Sequence, residues 1–158
     1  METNKVTYLK LAVIVMASLL LSGCLNELFN DGETYYNTDD PKVEFVPLTA
    51  QYTLGATQSG SYTINAQLIG EQRSEDLALS VVVIDSLTTA QEGVQYSLLA
   101  TSVTIPADSS SAAFTIDISG EGLQAGETAR LVLELQGTDE VEAAENLDSH
   151  TLVIQGGG

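Results

Sequence analysis

The stretch that decides the fold is SYTINAQL, residues 61–68. Apolar and polar side chains alternate along it without a break, and the apolar set is Tyr62, Ile64, Ala66 and Leu68. Successive side chains of a β-strand point to opposite faces. This stretch therefore predicts a strand with one face in a hydrophobic core and the other in solvent.

The same period of two recurs along the chain from residue 42 onward. We expect six further strands, around residues 42–45, 77–84, 103–105, 112–118, 129–136 and 151–154. The pattern leaves an extra strand open at 52–54. Turns rich in Gly and Pro separate these runs, and no apolar segment of helix length lies between them. Strands at this spacing predict an all-β fold, a single antiparallel Ig-like β-sandwich of about seven strands.

The first 23 residues have the composition of a secretory signal peptide. Lys5 and Lys10 supply positive charge, and residues 11–21 (LAVIVMASLLL) form an uncharged apolar run. A helix that crosses a bilayer needs about 20 apolar residues. The run is too short for a membrane span, so we interpret residues 1–23 as a signal peptide.

The end of this run, Leu21-Ser22-Gly23-Cys24, resembles the lipobox of bacterial lipoproteins. The resemblance implies that Cys24 is lipidated on its sulfur, palmitate being one such acyl group, and becomes the first residue of the mature protein. A thiolate is a strong nucleophile, which suits this chemistry, and more than one acyl chain gives a stable anchor. We expect a lipid-anchored protein of the bacterial envelope. Leu25 after the cysteine is compatible with the outer membrane, and whether the domain faces the periplasm or the outside stays open.

The mature chain divides into three parts. We expect an acidic tether over residues 24–41, where neither the helical period of 3.6 residues nor the strand period of two is sustained. We expect the folded domain over residues 42–155. Residues 156–158, three glycines, are expected to be a flexible tail. The stretch DEVEAAEN, residues 139–146, is too short and has no apolar stripe, so it predicts a loop with at most one helical turn. Cys24 is the only cysteine, so the domain must be stabilised by its core without disulfides.

The mature chain is strongly acidic. Removal of residues 1–23 takes away one acidic and two basic residues, which leaves 21 acidic and 3 basic residues and changes the formal net charge from −17 to −18. Such a charge repels nucleic acid and anionic lipid headgroups, so we expect neither as a partner. Two explanations stay open, a solvating surface suited to a salty habitat and cation binding. The even spread of the acidic residues favours the first.

The middle of the domain carries a recognisable order of features. AQEGVQY (90–96) precedes VTIPA (103–107), and GET (126–128) leads into the leucine-rich strand. This order resembles the Calx-β group of Ig-like sandwiches over about residues 60–136, and also domains of unknown role in lipoproteins of the Bacteroidetes type. These residues also have plain structural roles. Gly93 permits a turn that a Cβ would hinder, and Pro106 ends a strand because it lacks a backbone N–H donor.

Calcium-binding members of the Calx-β group carry paired aspartates after the strand that corresponds to residues 112–118. The chain has SGEGLQAGE (119–127) there, with Glu121 and Glu127 as its acidic residues. Calcium takes roughly six to eight oxygen ligands, and two glutamates, even with loop carbonyls, form a thin site. We therefore carry over no metal-binding residue from the resemblance and expect no cofactor.

No catalytic constellation is visible. Nucleophilic catalysis needs a base beside the nucleophile, and the only histidine, His150, is expected on the surface at the start of the last strand. No Cys and His cluster suits zinc, and no Gly-rich turn opens a helix that would hold phosphate. We expect a protein that is not an enzyme.

These observations predict a membrane-anchored envelope lipoprotein whose β-sandwich is a non-catalytic interaction or structural module. Two alternatives stay open: a module that binds surface glycans or calcium, and an accessory subunit of an envelope uptake or secretion complex. The expected partners are the membrane, through the lipid on Cys24, and another envelope protein or a glycan.

Overall fold

The computed structural model describes residues 40–158, and every secondary-structure element assigned in that range is a β-strand. Residues 1–39, with the predicted signal peptide, the lipobox and most of the predicted tether, lie outside the described residues. The described part contains no helix that is long and apolar enough to span a membrane. Its strands are β1 Lys42–Val46, β2 Thr49–Gly55, β3 Ser59–Ile69, β4 Leu77–Val83, β5 Tyr96–Leu98, β6 Ser102–Ile105, β7 Ser111–Ser119, β8 Thr128–Gln136, β9 Glu142–Ala143 and β10 Ser149–Gly157.

These strands form two sheets of five. Sheet A has the order β5-β7-β3-β1-β9, and sheet B has the order β2-β10-β8-β4-β6. Inward-facing side chains from both sheets belong to one hydrophobic cluster, so the fold is a β-sandwich, as predicted. The buried side chains of this cluster run from Val43 to Ile154, so the described part of the chain carries its own core.

Strand β3 contains the stretch that predicted the fold. Ile64, Ala66 and Leu68 are buried, whereas Ser61 and Thr63 are exposed. The strand pairs antiparallel with β7 over nine residue pairs and with β1 over five. Fully burying one large aliphatic side chain contributes about 1.5–3 kcal/mol, so the period-two pattern fixes which face of β3 enters the core.

The prediction of about seven strands is wrong in number, and the predicted antiparallel direction holds for six of the eight strand pairings. The stretch at 52–54, left open by the sequence, is part of strand β2. Strands β5 and β9 have three and two residues, too few for an alternating pattern to predict a strand. The segment 139–146 supplies β9 instead of a helical turn. Two pairings are parallel, β2 with β10 over seven residue pairs and β1 with β9 over two. Alternation has the same period in parallel and antiparallel strands, so it carries no information on direction.

The C-terminal glycines are not a flexible tail, because β10 continues to Gly157. Gly156 is buried, its N–H donates to the Glu127 carbonyl at 2.8 Å, and its own carbonyl accepts from the Gly126 N–H at 2.8 Å. A Cβ at Gly156 would collide with the backbone carbonyl oxygen of Gln124. Glycine is therefore required where two backbone segments approach this closely.

His150 is fully buried, contrary to the predicted surface position, because it shares the inward face of β10 with Leu152 and Ile154. Its Nδ1 lies 2.6 Å from the Pro47 carbonyl oxygen, so Nδ1 carries the hydrogen and donates. The Tyr62 ring stacks on the imidazole with ring centres 5.4 Å apart. Nε2 has no hydrogen-bond partner among the described residues. Burial away from water lowers the pKa of His150 below its usual 6.5, although the bond to Pro47 opposes this, so the imidazole is neutral at pH 7.

The packing of Gly156 predicts a large cost for one added methyl group. Gly156→Ala should lower the free energy of unfolding by about 3 kcal/mol, because the new Cβ meets backbone atoms that cannot rotate away. Gly158→Ala is the matched control, since its Cβ would lie 3.9 Å from the Ala125 Cβ, an ordinary contact, and should change stability by less than about 0.5 kcal/mol. Urea denaturation of both variants measures the difference, and equal stabilities would contradict the strand assignment at Gly156.

The burial of His150 predicts that stability falls as the pH drops below 6.5. Above that pH the histidine is neutral in both states. Below it the unfolded chain binds the proton first, because the folded-state pKa is lower, and the free energy of unfolding decreases by up to about 1.4 kcal/mol per pH unit. His150→Gln keeps a donor for Pro47 but does not titrate. Urea denaturation between about pH 7 and pH 5.5 should show a weaker slope for this variant, and the same slope in both proteins would rule the effect out.

Candidate functional site

A groove of about 630 Å³ lies at the end of sheet A where β3 begins and β7 ends. We call it the Asp117 groove. Its lining includes the side chains that face outward from three neighbouring strands and from the turn after β7, which are Ser59, Ser61, Ser97, Asp117, Ser119 and Glu121. The groove is thus a concave surface that is rich in hydroxyl and carboxylate oxygens.

The registers of β3, β5 and β7 build this surface. Asp117 is opposite Ser61 of β3 on one side and opposite Ser97 of β5 on the other. Side chains directly opposite each other on adjacent antiparallel strands have Cβ atoms about 4.5–5.5 Å apart. A hydroxyl, a carboxylate and a second hydroxyl therefore form one row across three strands, and Ser59 opposite Ser119 adds a second pair beside it.

The two walls of the groove are fixed by the buried side chain of Gln95. Its Oε1 accepts from the Gln91 N–H at 2.8 Å, and its Nε2 donates to the Glu121 carbonyl at 2.9 Å. The Gln95 carbonyl also accepts from the Ser119 N–H at 2.9 Å. Gln95 thus connects the AQEGVQY segment with the turn after β7. Nothing in the sequence marks it, because glutamine is common in exposed loops.

The segment 90–96 has the conformation that the sequence predicts. Gly93 has a φ of +76°, which favours glycine, and the Gly93 N–H donates to the Tyr96 carbonyl at 2.8 Å. The Tyr96 ring is buried beneath the groove. Burial raises the pKa of Tyr96, and the carboxylates of Glu92 and Asp85 raise it further, so the phenol stays neutral at physiological pH.

The groove is acidic and has no basic side chain in its lining. The three basic residues of the described chain are engaged elsewhere. Lys42 is 3.0 Å from Glu142 and 3.2 Å from Asp40, and these hydrogen bonds raise the pKa of its ammonium group. Arg73 pairs with Glu140, and the Arg130 Nε–H donates to the Leu87 carbonyl at 2.9 Å. The groove therefore suits neutral hydroxylated ligands or cations better than anions.

The two glutamates that the sequence analysis considered as metal ligands have different surroundings. Glu121 is part of the groove, whereas the Glu127 carboxylate accepts from the Gln124 N–H at 2.9 Å within its own turn. In residues 40–158 no three side chains of His, Cys, Asp or Glu converge as a metal ion would require. The lipobox residues Leu21, Ser22, Gly23 and Cys24 lie outside the described residues, so their role stays a prediction.

Solved structures with a similar fold include two CBD12 structures, one from CALX1.1 and one from CALX1.2. The calcium binding domain CBD12 of CALX1.1 superposes with a TM-score of 0.57 at 14% identity and covers 73% of this chain and 45% of its own. CBD12 from CALX1.2 gives 0.56 at 17% identity, with 72% and 43% covered. At these identities the likeness shows the fold alone, and it confirms the predicted resemblance to Calx-β sandwiches.

A protein of unknown function from Bacteroides ovatus aligns with a TM-score of 0.48 at 18% identity, covering 72% of this chain and 45% of its own. The chain thus spans less than half the length of each of these solved proteins. No curated protein matches the sequence. A family model described as "Domain of unknown function (DUF4843)" matches residues 34–155, which is most of the chain. The protein therefore belongs to the DUF4843 family.

Proposed function

We propose that the protein is a lipoprotein of the bacterial envelope, anchored in the outer membrane through Cys24, and that its β-sandwich is a non-catalytic binding module. The observation that carries this proposal is the sequence Leu21-Ser22-Gly23-Cys24 at the end of the apolar run 11–21. A cationic start, an apolar run and small residues before the cysteine form a processing signal. The cysteine supplies the thiolate to which lipid is attached.

The folded domain suits this attachment. Its core is complete without a disulfide, because the only cysteine of the chain is Cys24. The 18 residues of the tether, 24–41, span at most about 60 Å when fully extended. The acidic surface of the domain is repelled by anionic headgroups. An anchor with a tether of this length would hold the sandwich near the membrane.

The surroundings of the single histidine support binding rather than catalysis. His150 is buried with its Nδ1–H bonded to Pro47, and it is not among the residues that line the Asp117 groove. The serine hydroxyls of the groove lie beside carboxylates, and a nucleophilic serine needs a positioned base such as histidine. The groove chemistry is that of a recognition surface.

The row across β3, β7 and β5 favours a neutral glycan as the ligand of this module. Ser61 and Ser97 can donate or accept hydrogen bonds, and the Asp117 carboxylate between them accepts two or more from sugar hydroxyls. Hydrogen bonds to a charged group are worth about 1.5–3 kcal/mol, so Asp117 should provide most of the polar binding energy. The absence of a basic side chain from the lining favours uncharged sugars over acidic ones.

The anchor is tested with Cys24→Ala. This variant should lose labelling by radioactive palmitate and should move from the membrane fraction to the soluble fraction, because no other cysteine can accept the lipid. Ser22→Ala is the matched control, since it keeps a small residue before Gly23 and Cys24, and it should be labelled normally. Membrane retention of the unlabelled Cys24→Ala protein would refute the anchor.

The groove is tested with Asp117→Asn on an array of neutral glycans. The substitution keeps the shape of the side chain and removes its charge, so affinity should fall about tenfold or more. Glu75→Gln makes the same charge change at an exposed residue outside the groove and should bind as the wild type does. Failure of the wild type to bind any neutral glycan would overturn this assignment. A rise in melting temperature with calcium that is lost in Asp117→Asn and Glu121→Ala would instead assign the groove to a cation.

A further inference from the structure

The two sheets end in four edge strands, β5 and β9 in sheet A and β2 and β6 in sheet B. An edge strand presents unpaired backbone N–H and C=O groups, and proteins protect such edges by short length, proline, charge or bulges. Three of the four are protected in this way. Strand β5 has three residues, β9 has two and contains the charged Glu142, and β6 has four and is followed by Pro106.

Strand β2 has none of these protections. It is seven residues long, its sequence TAQYTLG contains no charged residue and no proline, and it pairs with β10 over seven consecutive residue pairs without a bulge. Thr49, Gln51 and Thr53 are exposed, and Tyr52 is 38% exposed. Within residues 40–158, β10 is its sole strand partner, so the outer edge of β2 is open for pairing.

We propose that β2 pairs with β2 of a second copy of this chain, antiparallel about a two-fold axis at Tyr52, so that two five-stranded B sheets join into one of ten strands. Tyr52 is the middle residue of β2. The two-fold axis would place Tyr52 opposite its own symmetry mate and Gln51 opposite Thr53 of the other copy. A two-fold interface requires a self-complementary patch. Strand β2 meets that requirement because it is uncharged and contains no bulge.

The charge distribution favours contact between two copies through an uncharged strand such as β2. Residues 40–158 contain 17 acidic and 3 basic side chains, so most contacts between two copies would bring carboxylates together. Like charges directly opposite each other destabilise a strand pair, and the β2 pairing brings none together. The net charges of the two domains still repel at longer range, and salt screens this repulsion with a Debye length of about 8 Å at physiological ionic strength. The dimer should therefore become tighter as salt increases.

The pairing does not depend on the proposed lipid anchor, but the anchor would promote it. Two copies held on one membrane have a raised effective concentration, so a weak interface in solution becomes occupied at the surface. The test below uses protein without lipid, and a failed test of the dimer therefore says nothing about the anchor.

The experiment is sedimentation equilibrium of residues 24–158 carrying Cys24→Ala, at about 10–300 µM protein and from about 50 to about 500 mM NaCl. The wild-type sequence should sediment as a monomer and dimer in equilibrium, with more dimer at higher salt. The double variant Gln51→Glu/Thr53→Glu places carboxylates opposite each other in the pair and should weaken the dimer by about tenfold or more. Thr104→Glu adds a carboxylate at an exposed position of the other sheet B edge and should leave the dimer unchanged.

Charge exchange identifies the pairing itself. The double variant Gln51→Lys/Thr53→Lys should also dimerise weakly when it is the only protein present. An equal mixture of the lysine and glutamate variants should form a heterodimer, because each lysine then faces a glutamate. Circular dichroism of each variant checks that it is folded. A wild-type protein that stays monomeric at the highest protein and salt concentrations would overturn the proposal. The proposal would also be overturned if the Gln51→Glu/Thr53→Glu substitutions did not weaken the dimer, or if the mixture of lysine and glutamate variants formed no heterodimer.

Discussion

The register between β3 and β7 controls both faces of the sandwich. The same nine residue pairs that place Ile64 opposite Phe114 in the core place Ser61 opposite Asp117 on the outside. Because side chains alternate, a slip of one residue would exchange the two faces. It would bring carboxylate and hydroxyl groups into the core and expose its aliphatic side chains. The hydrophobic core and the groove are therefore two results of one alignment, and the apolar side stabilises it strongly enough to hold the polar side in place.

Much of this alignment could be predicted from the sequence, because burial and alternation are local properties. The inward faces of β1, β3, β7, β8 and β10 follow from the spacing of their Val, Ile, Leu and Phe residues, and Gly93 and Pro106 mark their turns. The short strands β5 and β9 were missed because two or three residues do not establish a period. The parallel pairing of β2 with β10 was missed because alternation does not encode direction. The groove was missed because its residues come together only through the pairing of strands that are distant in sequence.

His150 and the C-terminal glycines show why composition misleads at particular positions. A histidine at the start of a strand and a run of three glycines both suggest exposed, weakly ordered chain. In the structure the alternation of side chains along β10 determines which of its residues are buried. His150 and Gly156 share one side of the strand with Leu152 and Ile154, so each is drawn into the interior together with them. The imidazole is accommodated by the Pro47 carbonyl and the Tyr62 ring, and the glycine by the close backbone of Gln124.

The place of β10 in sheet B also has a consequence for how the protein is made. Strand β10 lies between β2 and β8, yet it is the last strand in chain order, about a hundred residues after β2. Sheet B cannot form completely until residues 149–157 have been synthesised, since β2 has no other strand partner within the described chain. Contacts between distant segments slow folding. The pairing of β2 with β10 should thus be one of the later steps of folding, and β2 stays without a strand partner until β10 has been made.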